Sequence, residues 1–168
     1  YNGVVRFKDV KVPRDNIVLG EGKGLKVALS TLNTGRLTLP AACVGLSKEC
    51  LDVIKRWCSE RRQWGANIGK HAAIAEKISR IGAQTFAMES SVLLTSALVD
   101  GKEADIRLEA AISKMWGTEK AWKITDETMQ IRGGRGYETA DSLKARGEDP
   151  IAIERYMRDC RINTIFEG

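Results

Sequence analysis

The chain carries one histidine and three prolines, and only 6% of its 168 residues are aromatic. Its four cysteines (Cys43, Cys50, Cys58 and Cys160) include no C-x-x-C pair, and His71 alone cannot complete a zinc site with them. No metal is therefore expected. Cys43 and Cys50 lie seven apart, share a face if helical, and read as small core residues in a reducing compartment. No run of about 18 uncharged apolar residues occurs, which argues against a membrane-spanning helix. No basic-then-apolar leader opens the chain, but it begins on Tyr1 rather than Met, so that absence excludes nothing about targeting. What is present is 43% hydrophobic and 29% charged, an ordinary globular balance. Disorder and fibrous repeats are excluded, and the length suits one or at most two domains with a real core.

Basic side chains number 27 against 22 acidic ones, for a net charge of +5. Much of the excess sits late, in Arg132, Arg135, Lys144, Arg146, Arg155, Arg158 and Arg161. Such a cluster suits nucleic acid, an anionic membrane surface or a phosphorylated cofactor, or is simply a solvated face.

Residues 1–19 differ from the rest. Val4 to Val12 is rich in β-branched residues and ends at Pro13, which predicts a strand, then a turn through Arg14-Asp15-Asn16. So short a strand is expected to be the last piece of an upstream β-domain. Gly20-Glu21-Gly22-Lys23-Gly24 lacks the G-K-[ST] ending of a phosphate loop and reads as a strand-to-helix turn.

From Leu25 the period changes. Leu25, Leu29, Leu32, Leu39, Cys43, Leu46, Cys50, Val53 and Trp57 predict one long amphipathic helix. Arg36 falls inside that apolar seam, and Pro40 removes the backbone bond to residue 36, so a kink is expected there. Local inconsistency of this kind often marks function. A second helix is predicted from about Ala72 to Val99, with Ile74, Ile78, Ile81, Thr85, Met88, Val92, Thr95 and Val99 on its stripe and Asp100-Gly101 as its stop. A third runs from about Ala104 to Ile131, with Leu108, Ala111, Met115, Trp122, Thr125 and Met129 on its stripe. A polar stretch follows to about Asp149, where Asp149-Pro150 has the form of a helix start. A short fourth helix contains Ile153, Met157 and Cys160, and Ile162 to Gly168 reads as extended. The expected fold class is mainly α: an up-and-down helical bundle over 20–168, preceded by a short β segment. Three long helices leave that bundle one short, so the remainder is expected beyond Gly168, from a neighbouring subunit, or both.

Four motifs cover the chain. Phe7-Lys8-Asp9-Val10-Lys11-Val12-Pro13-Arg14-Asp15-Asn16 resembles F-x-D-V-x-V-P-x-x-N of the acyl-CoA dehydrogenases, where it joins the β-domain to the helical domain. Glu60-Arg61-Arg62-Gln63-Trp64-Gly65 resembles E-R-x-x-F-G. Gln130 to Tyr137 is similar to Q-x-x-G-G-x-G-[FY]. Arg158-Asp159-Cys160-Arg161-Ile162, followed by Ile165-Phe166-Glu167-Gly168, is similar to R-D-x-[RK]-I-x-x-I-[FY]-E-G. Each motif is weak alone, but their order and spacing also match the family.

The resemblance implies α,β-dehydrogenation of an acyl-CoA thioester to a trans-2-enoyl-CoA, with FAD as cofactor and an electron-transfer flavoprotein as electron acceptor. Arg61, Gln63 and Trp64 would contact the flavin across a subunit interface, Arg61 at its pyrophosphate, because a guanidinium offers forked donors and an indole a flat surface. Gln130, Gly133 and Gly134 would hold the same flavin near its adenosine, glycine letting backbone amides approach an anion. Arg132-Gly133-Gly134-Arg135-Gly136 also contains an RGG sequence, but it ends a patterned helix and occurs once, so nucleic acid is not expected as a partner. Asn33, Arg36, Phe166 and Gly168 correspond to substrate-binding positions. In some branches the catalytic glutamate stands where this chain has Gly35, so the base must be elsewhere, and Glu167 is the candidate. Burial beside Phe166 and an acyl chain is expected to make its carboxylate a stronger base, and its backbone N–H would bond the thioester oxygen.

Two departures bear on chain length: residues 138–150 are longer and more charged than in the medium-chain type, and the common aromatic-Gln pair is His71-Ala72. The resemblance also implies a homo-oligomer, dimer or tetramer, in the cytoplasm of a bacterium or the mitochondrial matrix of a eukaryote. An oxygen-using relative of the acyl-CoA oxidase or nitroalkane oxidase type, and a non-catalytic helical assembly module, are the alternative readings.

Overall fold

The computed structural model of the protein describes residues 3–102 and 105–167. By contacts the chain divides into residues 1–32 and residues 33–168. In the first unit the segment Val4–Val12 carries no ladder hydrogen bonds, so the expected strand is not formed. A strand satisfies its backbone only against a partner, and none of the described residues pairs with it; Val4 and Phe7 are 85% and 80% exposed. The expected turn is present as a 3-10 turn over Arg14–Asn16, closed by Asn16 N–H donating to the Pro13 carbonyl at 3.0 Å.

Helix α1 spans Gly24–Glu60, α2 Ala72–Gly101 and α3 Arg107–Arg132. Within residues 33–168 they form an up-and-down bundle. Ser47 and Lys48 of α1 meet Met88 and Glu89 of α2, and α2 meets α3 with reversed numbering, Arg80 binding Glu127 at 3.0 Å while Ser91 binds Ser113 at 2.8 Å. Helices α1 and α3 run parallel: Pro40 faces Gly117, Cys50 Sγ lies 4.0 Å from Thr125 Oγ1, and Trp57 Nε1 donates to the Ile131 carbonyl at 3.2 Å. The shared core contains Cys43, Cys50, Ile54, Ile81, Met88, Ala121 and Ile124. Buried hydroxyls of Ser47, Thr85, Thr125 and Thr128 are each satisfied by the carbonyl four residues back. Pro40 lies buried inside α1, and Gly117 of α3 faces it; a methyl on Gly117 would come within 3.5 Å of the proline ring.

The stripe expected on α2 is the buried or half-buried face of that helix. Its end is a left-handed cap at Lys102, φ 58°. On α1 the apolar seam is buried only from Pro40 onward, and Leu25 and Leu29 are exposed. On α3 the expected face holds only in part: Thr125 is buried and Ala111, Trp122 and Met129 are half-buried, but Leu108 and Met115 are exposed, while Ser113, Lys114, Gly117, Thr118, Ala121 and Ile124 are buried. Because α3 packs closely against α2 and α6, it buries small side chains. The start expected near Ala104 falls on a residue outside those described, and α3 begins at Arg107.

Beyond α3 the polar stretch is not a plain loop. Short helices α4 (Gly134–Tyr137) and α5 (Ala140–Ala145) occupy it, the latter capped by the Thr139 hydroxyl accepting from Ser142 N–H at 3.2 Å. Helix α6 spans Ile153–Arg161 and starts three residues after Pro150. The terminal segment expected to be extended instead makes a 3-10 turn at Ile162–Thr164, with Phe166 N–H donating back to the Ile162 carbonyl. Between α1 and α2 lies a two-strand hairpin, β1 (Arg62–Gln63) against β2 (Ala66–Asn67). Its two-residue turn, Trp64-Gly65, has φ of 49° and 82°, as a type I′ connection requires.

Candidate functional site

Two separate clusters form on residues 33–168. The first gathers around the terminal segment. Arg36, half-buried on α1, donates from Nε to the Glu167 carbonyl at 3.1 Å. Lys114 of α3, 1% exposed, donates to the Phe166 carbonyl and lies 5.3 Å from the centre of the Phe166 ring. Two cations from parallel helices thus hold successive carbonyls. Between them Glu167 adopts a left-handed backbone, φ 64°, which is uncommon for a residue with a side chain and tends to mark sites where the surroundings over-determine it. The Glu167 carboxylate sits against Gly35: a methyl there would come within 2.6 Å of Oε2 and 3.1 Å of Oε1. Oε2 is buried without a hydrogen-bond partner. Burial lowers the Lys114 pKa, an effect countered by the negative charge of Glu167. Asn33 stands one turn before Arg36 on the same helix. Gly168 lies outside the described residues.

The second cluster is a cavity of about 470 Å³ at the other ends of α1 and α3. Its walls include Trp57, Arg61, Gln63, Trp64, Arg132, Gly133 and Gly134. Five of the six positions expected to contact a cofactor therefore meet there, although two motifs about 70 residues apart carry them. The hairpin carries Gln63 and the 86%-exposed Trp64 to the rim, where the Trp64 ring meets His71 edge-on at 5.6 Å. Gly133 ends α3 with φ 60° and ψ −139°, a conformation open in practice to glycine alone. Close by, Gly136 has no room for a side chain, since a methyl there would lie 2.5 Å from the Met129 carbonyl oxygen. Gln130, the sixth position, is exposed near the end of α3 and is not part of the cavity wall.

Sequence reasoning missed Lys114, and met Arg132 only as a member of a basic cluster and His71 only as a departure from a family pair. A lysine or arginine on a helix reads as solvated, and only the small residues around Lys114 hint that its face is buried. Among the described residues no group of acidic, histidine and cysteine side chains could hold a metal ion. All four thiols are buried and free. Desolvation pushes Cys43 and Cys50 up to about 11, the latter despite contacts with Thr125 and Thr128.

Comparison with known proteins gives a consistent likeness. Residues 22–168 match the family model described as "Acyl-CoA dehydrogenase, C-terminal domain". A Mycobacterium tuberculosis protein named "Probable acyl-CoA dehydrogenase FadE10" is 52% identical over 167 residues, covering 99% of this chain and 26% of its own length. The bovine "Very long-chain specific acyl-CoA dehydrogenase, mitochondrial" is 39% identical over 98% of this chain and 24% of its own. The chain thus spans about a quarter of these curated relatives. Among solved structures, an acyl-CoA dehydrogenase complexed with FAD from Bacillus anthracis superposes with a TM-score of 0.77 and 32% identity, covering 89% of this chain and 27% of that one. No helix among the described residues is long and apolar enough to cross a membrane.

Proposed function

The chain belongs to the acyl-CoA dehydrogenase family, as its C-terminal domain, and we propose that the whole protein oxidises an acyl-CoA thioester to the trans-2-enoyl-CoA with Glu167 as the base. The observation that carries this is the Glu167 carboxylate: seated against Gly35, with Oε2 buried and unpartnered, on a backbone tied by Arg36 and Lys114. A general base needs a positioned oxygen with a free lone pair, and the buried, unpartnered Oε2 on a tethered backbone supports that role. The α-proton goes to this carboxylate. The backbone N–H of Glu167 donates to the thioester oxygen as negative charge develops on it. Arg36 and Lys114 keep the Phe166–Glu167 backbone fixed while this happens, and Asn33 and Phe166 line the acyl side.

FAD suits the second cavity. The donor set there is cationic, with two indoles for a flat ring and glycine amides beside them. Arg61, Gln63, Trp64, Gly133 and Gly134 would hold it, with Gln130 contributing from the rim. When bound, FAD would supply the two-electron oxidant for the hydride that leaves the β-carbon. Lys114, beside Glu167, and Arg132, in the cavity wall, stand eighteen residues apart on α3, which is about 27 Å of helix. That exceeds the span from the flavin ring to the diphosphate within one FAD. One chain's cavity therefore serves another chain's glutamate, and the active protein is a homo-oligomer. Exposed Phe86, Leu93 and Leu94 on α2 and Leu108 and Ile112 on α3 are the apolar surface such an assembly would cover. Electrons then pass to an electron-transfer flavoprotein.

The test is spectroscopic. The whole protein should show flavin absorbance, bleach under anaerobic addition of acyl-CoAs of graded length, and reoxidise slowly in air. A flavin-free protein, or one that no acyl-CoA bleaches, would overturn the reading.

A further inference from the structure

Arg132 closes α3 and is only 5% exposed, yet its Nε and Nη1 have no hydrogen-bond partner. A guanidinium stays charged in a protein, and a buried charge with donors left unmade is destabilising. Burial lowers its pKa while Glu148 and Asp149 act in the opposite direction. Neither hydrogen-bonds it: Glu148 is held by Arg135 at 2.7 Å and Arg146 at 3.5 Å, and Asp149 is exposed.

The surroundings add positive charge. The Arg132 guanidinium stands 5.3 Å from the centre of the Trp57 ring and that of Arg61 5.8 Å from the same ring. Trp57 is itself fixed by its hydrogen bond to the Ile131 carbonyl. An adjoining cavity of about 400 Å³ shares Trp57, Arg61, Arg132 and Arg135 with the flavin cavity and adds Arg56, with Glu60, Glu148 and Asp149 as the acidic members of its wall. Arg132 thus forms part of the wall of both. Like charges gathered at one indole repel, and an anion among them would relieve that repulsion and satisfy the open donors.

We propose that Arg132 is a second phosphate-binding arginine, which with Arg61 grips the diphosphate of FAD. This rests on the reading of the cavity as the flavin site. The motif Q-x-x-G-G-x-G-[FY] leaves the position of Arg132 open, so the assignment comes from the buried, unpartnered guanidinium and not from the pattern. A diphosphate bears two negative charges, and Arg61 alone would match one of them.

The experiment uses the whole protein stripped of flavin, titrated with FAD by fluorescence, and separately heated with and without inorganic pyrophosphate. Arg132→Met keeps the length and the stacking on Trp57 but removes the donors. It should weaken FAD binding by about 10- to 100-fold, as expected for a lost charged hydrogen bond, and abolish the thermal stabilisation by pyrophosphate that the parent should show. Arg132→Lys keeps the charge without the fork and should fall between the two; it decides the matter if the methionine variant does not fold. Should the parent fail to bind FAD, the flavin reading fails and this assignment with it. Should the parent bind FAD and Arg61→Ala release it while both Arg132 variants bind FAD and pyrophosphate like the parent, the assignment alone is overturned.

Discussion

Gly35 and Glu167 share one slot: a methyl group on Gly35 would lie 2.6 Å from the Glu167 Oε2. Residue 35 is on α1 and residue 167 is in the terminal segment, so the carboxylate occupies space that a helix side chain would otherwise fill. Glycine at 35 is therefore a condition for a base arriving from 167. Gly35→Ala in the whole protein should displace the carboxylate and slow flavin reduction by roughly 100-fold, the effect of a misplacement near 1 Å. Flavin content and melting temperature should hold within error. Reduction at the parent rate would show that the carboxylate does not use this slot.

Lys114 tethers the Phe166 carbonyl from a fully buried position. Lys114→Met keeps the stem and removes the ammonium, at a cost of about 1.5–3 kcal/mol for a hydrogen bond from a charged donor. The Glu167 backbone should then leave its left-handed conformation more readily. Flavin reduction should slow while FAD retention is unchanged, because the cavity proposed to hold FAD lies at the far end of α3. Loss of FAD with normal chemistry in the loaded fraction would contradict a positioning role.

How legible this was depended on the kind of residue. The stripe on α2 was readable because its buried face is apolar at helical spacing. The face of α3 was not, because a helix packed on two sides buries Ser113, Gly117, Thr118 and Ala121 and leaves Leu108 outside. The motif residues were named by resemblance, but periodicity could not bring Gly133 to Arg61. That juxtaposition depends on α1 and α3 running parallel and being tied by the Trp57–Ile131 hydrogen bond. Arg132 looked like one more member of a basic cluster until its burial was seen. The hairpin around Trp64-Gly65 has strands of two residues each, too short for any alternation to register.

Buried thiols set an alkaline limit. Cys43 and Cys50 are raised from 9.0 to about 11 by burial. Below pH 9 both are neutral in the folded and unfolded states and cost nothing. Between pH 9 and 11 the unfolded thiols ionise while the folded ones do not, so stability falls as pH rises. Denaturant midpoints should decline across that window, less so in Cys50→Ala measured against its own value at pH 8. Native Cys43 and Cys50 should also resist alkylation at pH 8 and react once unfolded. A midpoint flat from pH 8 to 11 would contradict this.

The assignment of Glu167 as the base is tested most directly by stopped-flow flavin reduction in Glu167→Gln of the whole protein. The amide keeps the shape of the side chain but cannot accept the α-proton. The account predicts normal FAD content, acyl-CoA binding still visible as a perturbed flavin spectrum, and bleaching slowed by at least about 10²–10⁴-fold. Bleaching within tenfold of the parent rate would contradict it.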